Sequence, residues 1–389
     1  MLFKSLLSIV ALLAVAEAVP SCPSPSNKHC KVDTLEAYDI ANNTIIDIGA
    51  DPLIPFSSRK LSGVNDTAWE FWFFDSTTDD GNAGISFAFW NDNSNVGLEH
   101  PPWGVLRLQT QVVFPNGTHW IETTWVDDNT LTTCKDSTTG VWEKPGYRYS
   151  FKTSNDLKYT TITLDSPTLK GTYTLTATAP PVYPDGKYWP NKRASASVMP
   201  WVYWNAAVPS GKVNVDIDVA GTQLKFTGIG GHDRNWAPFP LLQASLGFQE
   251  SRVNAGPYTV LFWYIGSRVT KQTYLASVII KSKKVVFTTK NFKVAEKEDY
   301  MLFAQSHVND TSTPFDPTKA RTTYDLNFVS ADKKKNWKFA VDFADPEWAL
   351  NDRGFSGIIP ASVNGGEVGR EQYKGAGTAM HAEFDPSWV

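Results

Sequence analysis

The stretch GIGGHDRNWAPF, residues 228 to 239, sets an imidazole, a carboxyl, a guanidinium and an indole directly behind three glycines. His232 is the side chain that titrates near neutrality when unperturbed. Asp233 is an acid that burial would strengthen as a proton donor, or the partner of Arg234 in an ion pair. Arg234 can donate hydrogen bonds to a carbonyl, and Trp236 offers a flat apolar wall with one N–H. The glycines permit a strand end with positive φ or a close approach to a neighbouring chain. Two readings follow: a polar turn at a strand end, or the floor of a site with His232, Asp233 and Arg234 as its chemical groups. Candidate walls and contacts around such a site are Trp72, Trp263, Phe239 and Lys187, with Glu99 and His100 in a stiff loop ahead of Pro101-Pro102.

The signatures of other chemistries are missing. The chain has no G-x-S-x-G elbow, no H-E-x-x-H helix, no G-x-x-x-x-G-K-[ST] loop and no G-x-G-x-x-G before a helix. Its six histidines show no paired ligand spacing, so neither a metal nor another cofactor is expected. A net charge of −4 gives no preference for nucleic acid.

The elements that would position these residues read as strands. WEFWFFD (69–75), GISFAFW (84–90) and VLRLQTQVVF (105–114) are aromatic or β-branched runs, and 119–126, 147–153, 159–165 and 171–179 continue the series. Val213, Val215, Ile217 and Val219 alternate with polar residues. Further runs cover 258–267, 273–281, 284–293, 322–330 and 337–343, the last two forming a hairpin with a solvated Lys-rich tip. Strands at this spacing predict an all-β protein of two domains: an N-terminal antiparallel β-sandwich over 19–235 and a C-terminal lipocalin-like β-barrel over 236–389. The stretch 179–212 carries six prolines among Trp and Tyr residues. It reads as a lid or crossover near the domain junction, or as an interdomain linker.

Residues 1–18 have the form of a signal peptide, with Lys4, an apolar core and Ala16-Glu17-Ala18. Nothing later is apolar for long enough to anchor the chain stably in a membrane. Four N-x-Thr sequons begin at Asn42, Asn65, Asn116 and Asn309, so a glycosylated protein that is secreted or held in a vesicle or vacuole lumen is expected. Of Cys22, Cys30 and Cys134, one pair would form a disulfide, with either tail cysteine open to Cys134 and a Cys22–Cys30 loop equally legal. Aromatic residues make up 13% of the chain, enough for large β cores and for a pocket that takes flat apolar ligands.

Gly228-x-Gly230-x-His232-Asp233-x-Asn235-Trp236 resembles the G-x-G-x-H-D-x-N-W signature of two-domain, lipocalin-like proteins related to the carotenoid 1,2-hydratases. The strand at 69–75 resembles that superfamily's E-W-W-Y-F-D. GLEHPPWG (97–104), the Pro-Trp-rich junction and GGHDRNW together are similar to its fungal branch, the natural-product Diels–Alderases. The leader adds a likeness to the hetero-Diels–Alderases, which join a quinone methide to a terpene alkene in tropolone sesquiterpenoid pathways. The resemblance implies a pericyclase of secondary metabolism acting on a small apolar or aromatic, polyketide- or terpenoid-derived substrate. Where the hydratases have a second His and a Gly, this chain has Arg234 and Ala237, a departure that speaks against water addition. Two other readings stay open: an alkene hydratase or isomerase with Asp233 as proton donor, and a non-catalytic carrier of apolar metabolites.

Overall fold

The computed structural model describes residues 30–42, 44–93, 104–307, 321–344 and 358–384. The first sheet contains β1 (Lys31–Glu36), β2 (Trp69–Thr78), β3 (Gly84–Asp92), β4 (Leu106–Val113), β5 (His119–Trp125) and β6 (Asp128–Thr133). It continues with β7 (Ser137–Lys144), β8 (Tyr147–Ser154), β9 (Tyr159–Asp165), β10 (Leu169–Ala177), β11 (Ser197–Met199), β12 (Val202–Val219) and β13 (Thr222–Ala237). A single helical turn, α1 (Leu241–Ala244), leads to the second sheet. That sheet contains β14 (Ser245–Ala255), β15 (Tyr258–Ser267), β16 (Thr273–Lys281), β17 (Lys284–Thr289) and β18 (Tyr300–His307). Its remaining strands are β19 (Arg321–Val329), β20 (Asn336–Phe343), β21 (Ile359–Glu367) and β22 (Tyr373–Glu383).

The all-β, two-domain architecture expected from the strand pattern is present. The first sheet runs β1-β6-β7-β8-β9-β10-β12-β13-β2-β3-β4-β5, with β11 paired to β12. It curls on itself, so that Trp72 of β2 meets Trp142 of β7 at 5.3 Å and an aromatic core fills the concave side. The two layers of the expected sandwich are thus halves of one continuous sheet. The second sheet runs β17-β16-β15-β14-β22-β21-β20-β19-β18, a nearly closed barrel. Among the described residues, its interior is packed with Tyr258, Phe262, Phe287, Tyr324, Phe328 and Phe339. The hairpin of β19 and β20 pairs Tyr324 with Val341 and Phe328 with Trp337.

Two local readings differ from the sequence pattern. GGHDRNW lies in the second half of the 16-residue strand β13 and forms no turn. Glycine and short polar residues favour turns locally, but β12 and β2 flank this segment and take up its backbone hydrogen bonds. The 179–212 stretch is no interdomain linker, since the chain passes between the sheets at 238–244. It packs on the flank of the junction instead, with the Tyr188 hydroxyl accepting the Val285 N–H at 2.6 Å.

Candidate active site

Strand pleating splits the motif in two. Neighbouring side chains on a strand point to opposite faces, so His232, Arg234 and Trp236 face one way and Gly231, Asp233 and Asn235 the other.

The inward set is structural in its surroundings. Arg234 stands 3.6 Å over the Trp72 ring and pairs with Glu70 at 2.8 Å, both fully buried. It also donates to the carbonyls of Phe56, Ser58 and Phe71. Burial lowers it to about 10, so it remains charged. His232 stacks on Phe74 at 4.1 Å, and its Nδ1–H donates to the Phe73 carbonyl at 2.9 Å. Burial pushes this imidazole down to about 3, against the pull of the Phe73 bond, and it is neutral at physiological pH. Trp236 stacks on Tyr203 at 5.4 Å in a separate apolar cluster. These groups latch the 56–58 segment over the concave core; Trp72 joins them by donating its indole N–H to the Ser57 carbonyl at 2.8 Å.

The outward set faces the second sheet across a narrow slit. Trp69, Phe71 and Phe73 of β2, Ala88 and Trp90 of β3, and Phe248, Trp263 and Met380 from the other side form its apolar walls. Phe71 and Trp90 lie 4.1 Å apart. The slit contains about 650 Å³ of empty space, solvent at its mouth included. Aromatic walls of this kind suit flat π-systems.

Polarity is graded along this slit by the strand register. Asn235, Phe71 and Trp90 form one cross-strand row, Phe73, Ala88 and Gln109 the next, and Asp75, Ser86 and Gln111 the last. On the facing strand β14, Phe248 matches the aromatic end, Glu250 comes next, and Arg252 reaches the polar end. Glu250 is half-buried in the wall. Burial, with the carboxylates of Asp233 and Asp75 adding to it, pushes its carboxyl well above the usual range, although Arg252 pulls the other way. An acid whose ionisation is disfavoured by burial therefore borders an aromatic slit, beside the Trp263 indole N–H, which has no partner among the described residues. Each is a group that can donate a hydrogen bond to an oxygen of a bound π-system.

Behind this wall, Arg252 bridges Asp75 of β2 and Asp233 of β13, and Thr378 of β22 donates to Asp75. The ion cluster thereby ties the two sheets together. Asp233 is raised to about 7, burial being the main cause, with Asp75 adding to it and Arg252 opposing. It borders a smaller cavity beside the slit and is not a wall of the slit itself.

Of the described residues singled out from sequence, Trp263 lines the slit and the others do not. His232, Arg234, Trp236 and Trp72 sit on the far face of the same sheet, a consequence of the pleat. Lys187 is exposed and pairs with Asp185 at 2.6 Å. Phe239 is exposed beside Trp201, and its carbonyl accepts the Trp69 indole N–H at 2.8 Å. Glu99, His100 and Asn309 lie outside the described residues. Asn42 and Asn116 are exposed, while Asn65 is half-buried with its amide donating to the Thr44 carbonyl at 2.9 Å. Cys30 and Cys134 form the disulfide, at the end of the β1–β6 pair.

Sequence reasoning missed Glu250, Phe71, Phe73, Trp90 and Arg252. A signal existed in GFQESRVNA: Phe248, Glu250 and Arg252 recur every second residue, placing an acid and a base on one strand face with an aromatic. A second, more polar groove of about 780 Å³ opens further along β13 near Ile229, lined by Ser210, Lys212, Asn254 and Lys283. It has neither an aromatic wall nor an acid.

Comparison with known proteins agrees with this architecture. Diels-Alderase cheD of Chaetomium globosum is 31% identical over 367 residues, covering 92% of this chain and 85% of that one. Diels-Alderase poxQ of Penicillium oxalicum is 30% identical over 343 residues, covering 87% of this chain and 75% of its own. The crystal structure of CghA with Sch210972 has the same fold, at a TM-score of 0.71 and 22% identity over 91% of this chain and 99% of that one. The Diels-Alderase-like family model matches residues 27–385, and the chain belongs to that family of pericyclases.

Proposed function

We propose that the slit between the two sheets holds a flat, oxygenated heterodiene, an enone or quinone methide, against a terpene-type alkene and directs their hetero-Diels–Alder union. The four π-electrons of C=C–C=O and the two of the alkene become one C–C σ bond, one C–O σ bond and one new C=C π bond, with no proton or electron exchanged. What such a reaction asks of a protein is a reactive approach of two π-systems, and holding them together lowers the barrier by several kcal/mol. It also gains from a donor at the oxygen where charge develops. The observation that carries the reading is the position of Glu250: an acid set in the wall of an aromatic slit, where burial opposes its ionisation, with the apolar end of that slit beside it. The graded walls support an orientation in which the hydrocarbon partner lies toward Trp69 and Phe248 and the oxygenated end toward Glu250, Gln109 and Gln111.

A hydratase with Asp233 as proton donor is less well supported, because that carboxyl is held by Arg252 outside the slit. A secretory or luminal setting belongs to the same proposal, supported by the Cys30–Cys134 disulfide and the exposed sequon at Asn116.

The test is turnover of a quinone-methide precursor with an electron-rich alkene, read by chiral chromatography. Wild type is expected to give an enantioenriched adduct. Glu250→Ala should cut kcat/KM by about 100-fold, and Glu250→Gln, which keeps an N–H donor, by much less. The wild-type rate should fall as pH rises and Glu250 ionises, a limb absent from Glu250→Gln. Equal rates in all three proteins would remove Glu250 from the chemistry.

A further inference from the structure

The small cavity beside the slit contains about 220 Å³ of empty space and shares Phe73, Glu250 and Met380 with it. Around it stand three carboxyls, Asp75, Asp233 and Glu250, and one cation, Arg252. The two Nη groups of Arg252 are taken by Asp75 and Asp233, so Glu250 is the acid left without a cation. The strands on either side of Glu250 bring no second one: β15 places Trp263 opposite it and β22 places Met380, with Thr378 nearby. Three carboxylates sharing one guanidinium in a dry site cannot all ionise.

We propose that Asp75 and Asp233, by occupying Arg252, act as positioning residues that hold Glu250 in its acid form at the slit wall. Asp75 and Asp233 come from the first sheet, and Arg252 and Glu250 from the second. The acid is therefore assembled by docking of the two sheets, and neither domain supplies it alone. The proposal rests on the reading of the slit as the reaction site only in its consequence for rate.

Infrared difference spectroscopy tests it, following the stretch of protonated carboxyls across a pH titration. Glu250→Gln assigns the band by removing it. In wild type the band is expected to persist through neutral pH. In Asp75→Asn, which keeps an oxygen to accept from Arg252 and turns an N–H toward the Thr378 hydroxyl but loses a negative charge, it should vanish about one pH unit lower or more. Asp233→Asn carries the same expectation should Asp75→Asn fail to fold. The alkaline limb of the cycloaddition rate should move down in parallel. No band lost in Glu250→Gln, or a midpoint unmoved by both Asp variants, overturns the proposal. A band that moves while the rate limb stays leaves the cluster's role intact and removes Glu250 as the donor to substrate.

Discussion

At the scale of single residues, two ionisable groups with shifted titration lie on opposite sides of the first sheet, His232 within its strand β13 and Glu250 on the facing strand β14. Burial disfavours the charged form of both. The folded imidazole stays neutral where the unfolded chain protonates. Its contribution to stability is intact above the ordinary histidine value of about 6.5 and is lost as pH falls toward about 3. Unfolding free energies measured from pH 7 to pH 4 should therefore fall more steeply in wild type than in His232→Asn, by up to one proton, about 1.4 kcal/mol per pH unit. Loss of the Phe74 stack lowers the variant at every pH, so the slope is the readout. Parallel slopes would mean that His232 is already charged in the fold.

At the scale of strands, the glycines of the motif serve close approach, since none of Gly228, Gly230 and Gly231 takes a positive φ. A Cβ on Gly228 would lie 2.0 Å from the Thr77 carbonyl oxygen, and one on Gly231 2.0 Å from a terminal nitrogen of Arg252. Gly231 thus makes room for the guanidinium that joins the sheets. Gly231→Ala should displace Arg252 and cost about 2–4 kcal/mol, since it breaks a buried ion cluster. Placed on Arg252→Ala it should cost under about 1 kcal/mol, because the obstacle is gone. Additive costs in thermal or chemical unfolding would contradict that coupling. The sequence shows most strands plainly, with the edges of 159–165, 258–267 and 273–281 matching the structure. The polar second half of β13 was hidden because its residues favour turns and only its two partner strands hold it extended. Facing was hidden for a related reason: in WEFWFFD every position is acidic or aromatic, so alternation leaves no mark, and Trp72 goes to the core while Phe71 and Phe73 go to the slit.

At the scale of the whole molecule, the site belongs to neither sheet. Among the described residues, side chains fill the concave core of the first sheet and the interior of the barrel, and the slit lies where their outer faces meet. The strand that carries GGHDRNW crosses the junction, with His232 and Arg234 on its far face and Asp233 and Asn235 looking across. A junction site also ties function to docking, through Arg252 and the apolar cluster that includes Trp69, Trp204, Phe248 and Trp263. The measurement that bears on all of this is a crystal structure with a cycloadduct or a flat enone bound. The ligand is expected between Phe71, Trp90 and Trp263, with its oxygen within hydrogen-bonding distance of Glu250. A ligand seated instead in the groove at Lys212 and Lys283, or against His232 and Arg234, would contradict the assignment of the slit as the active site.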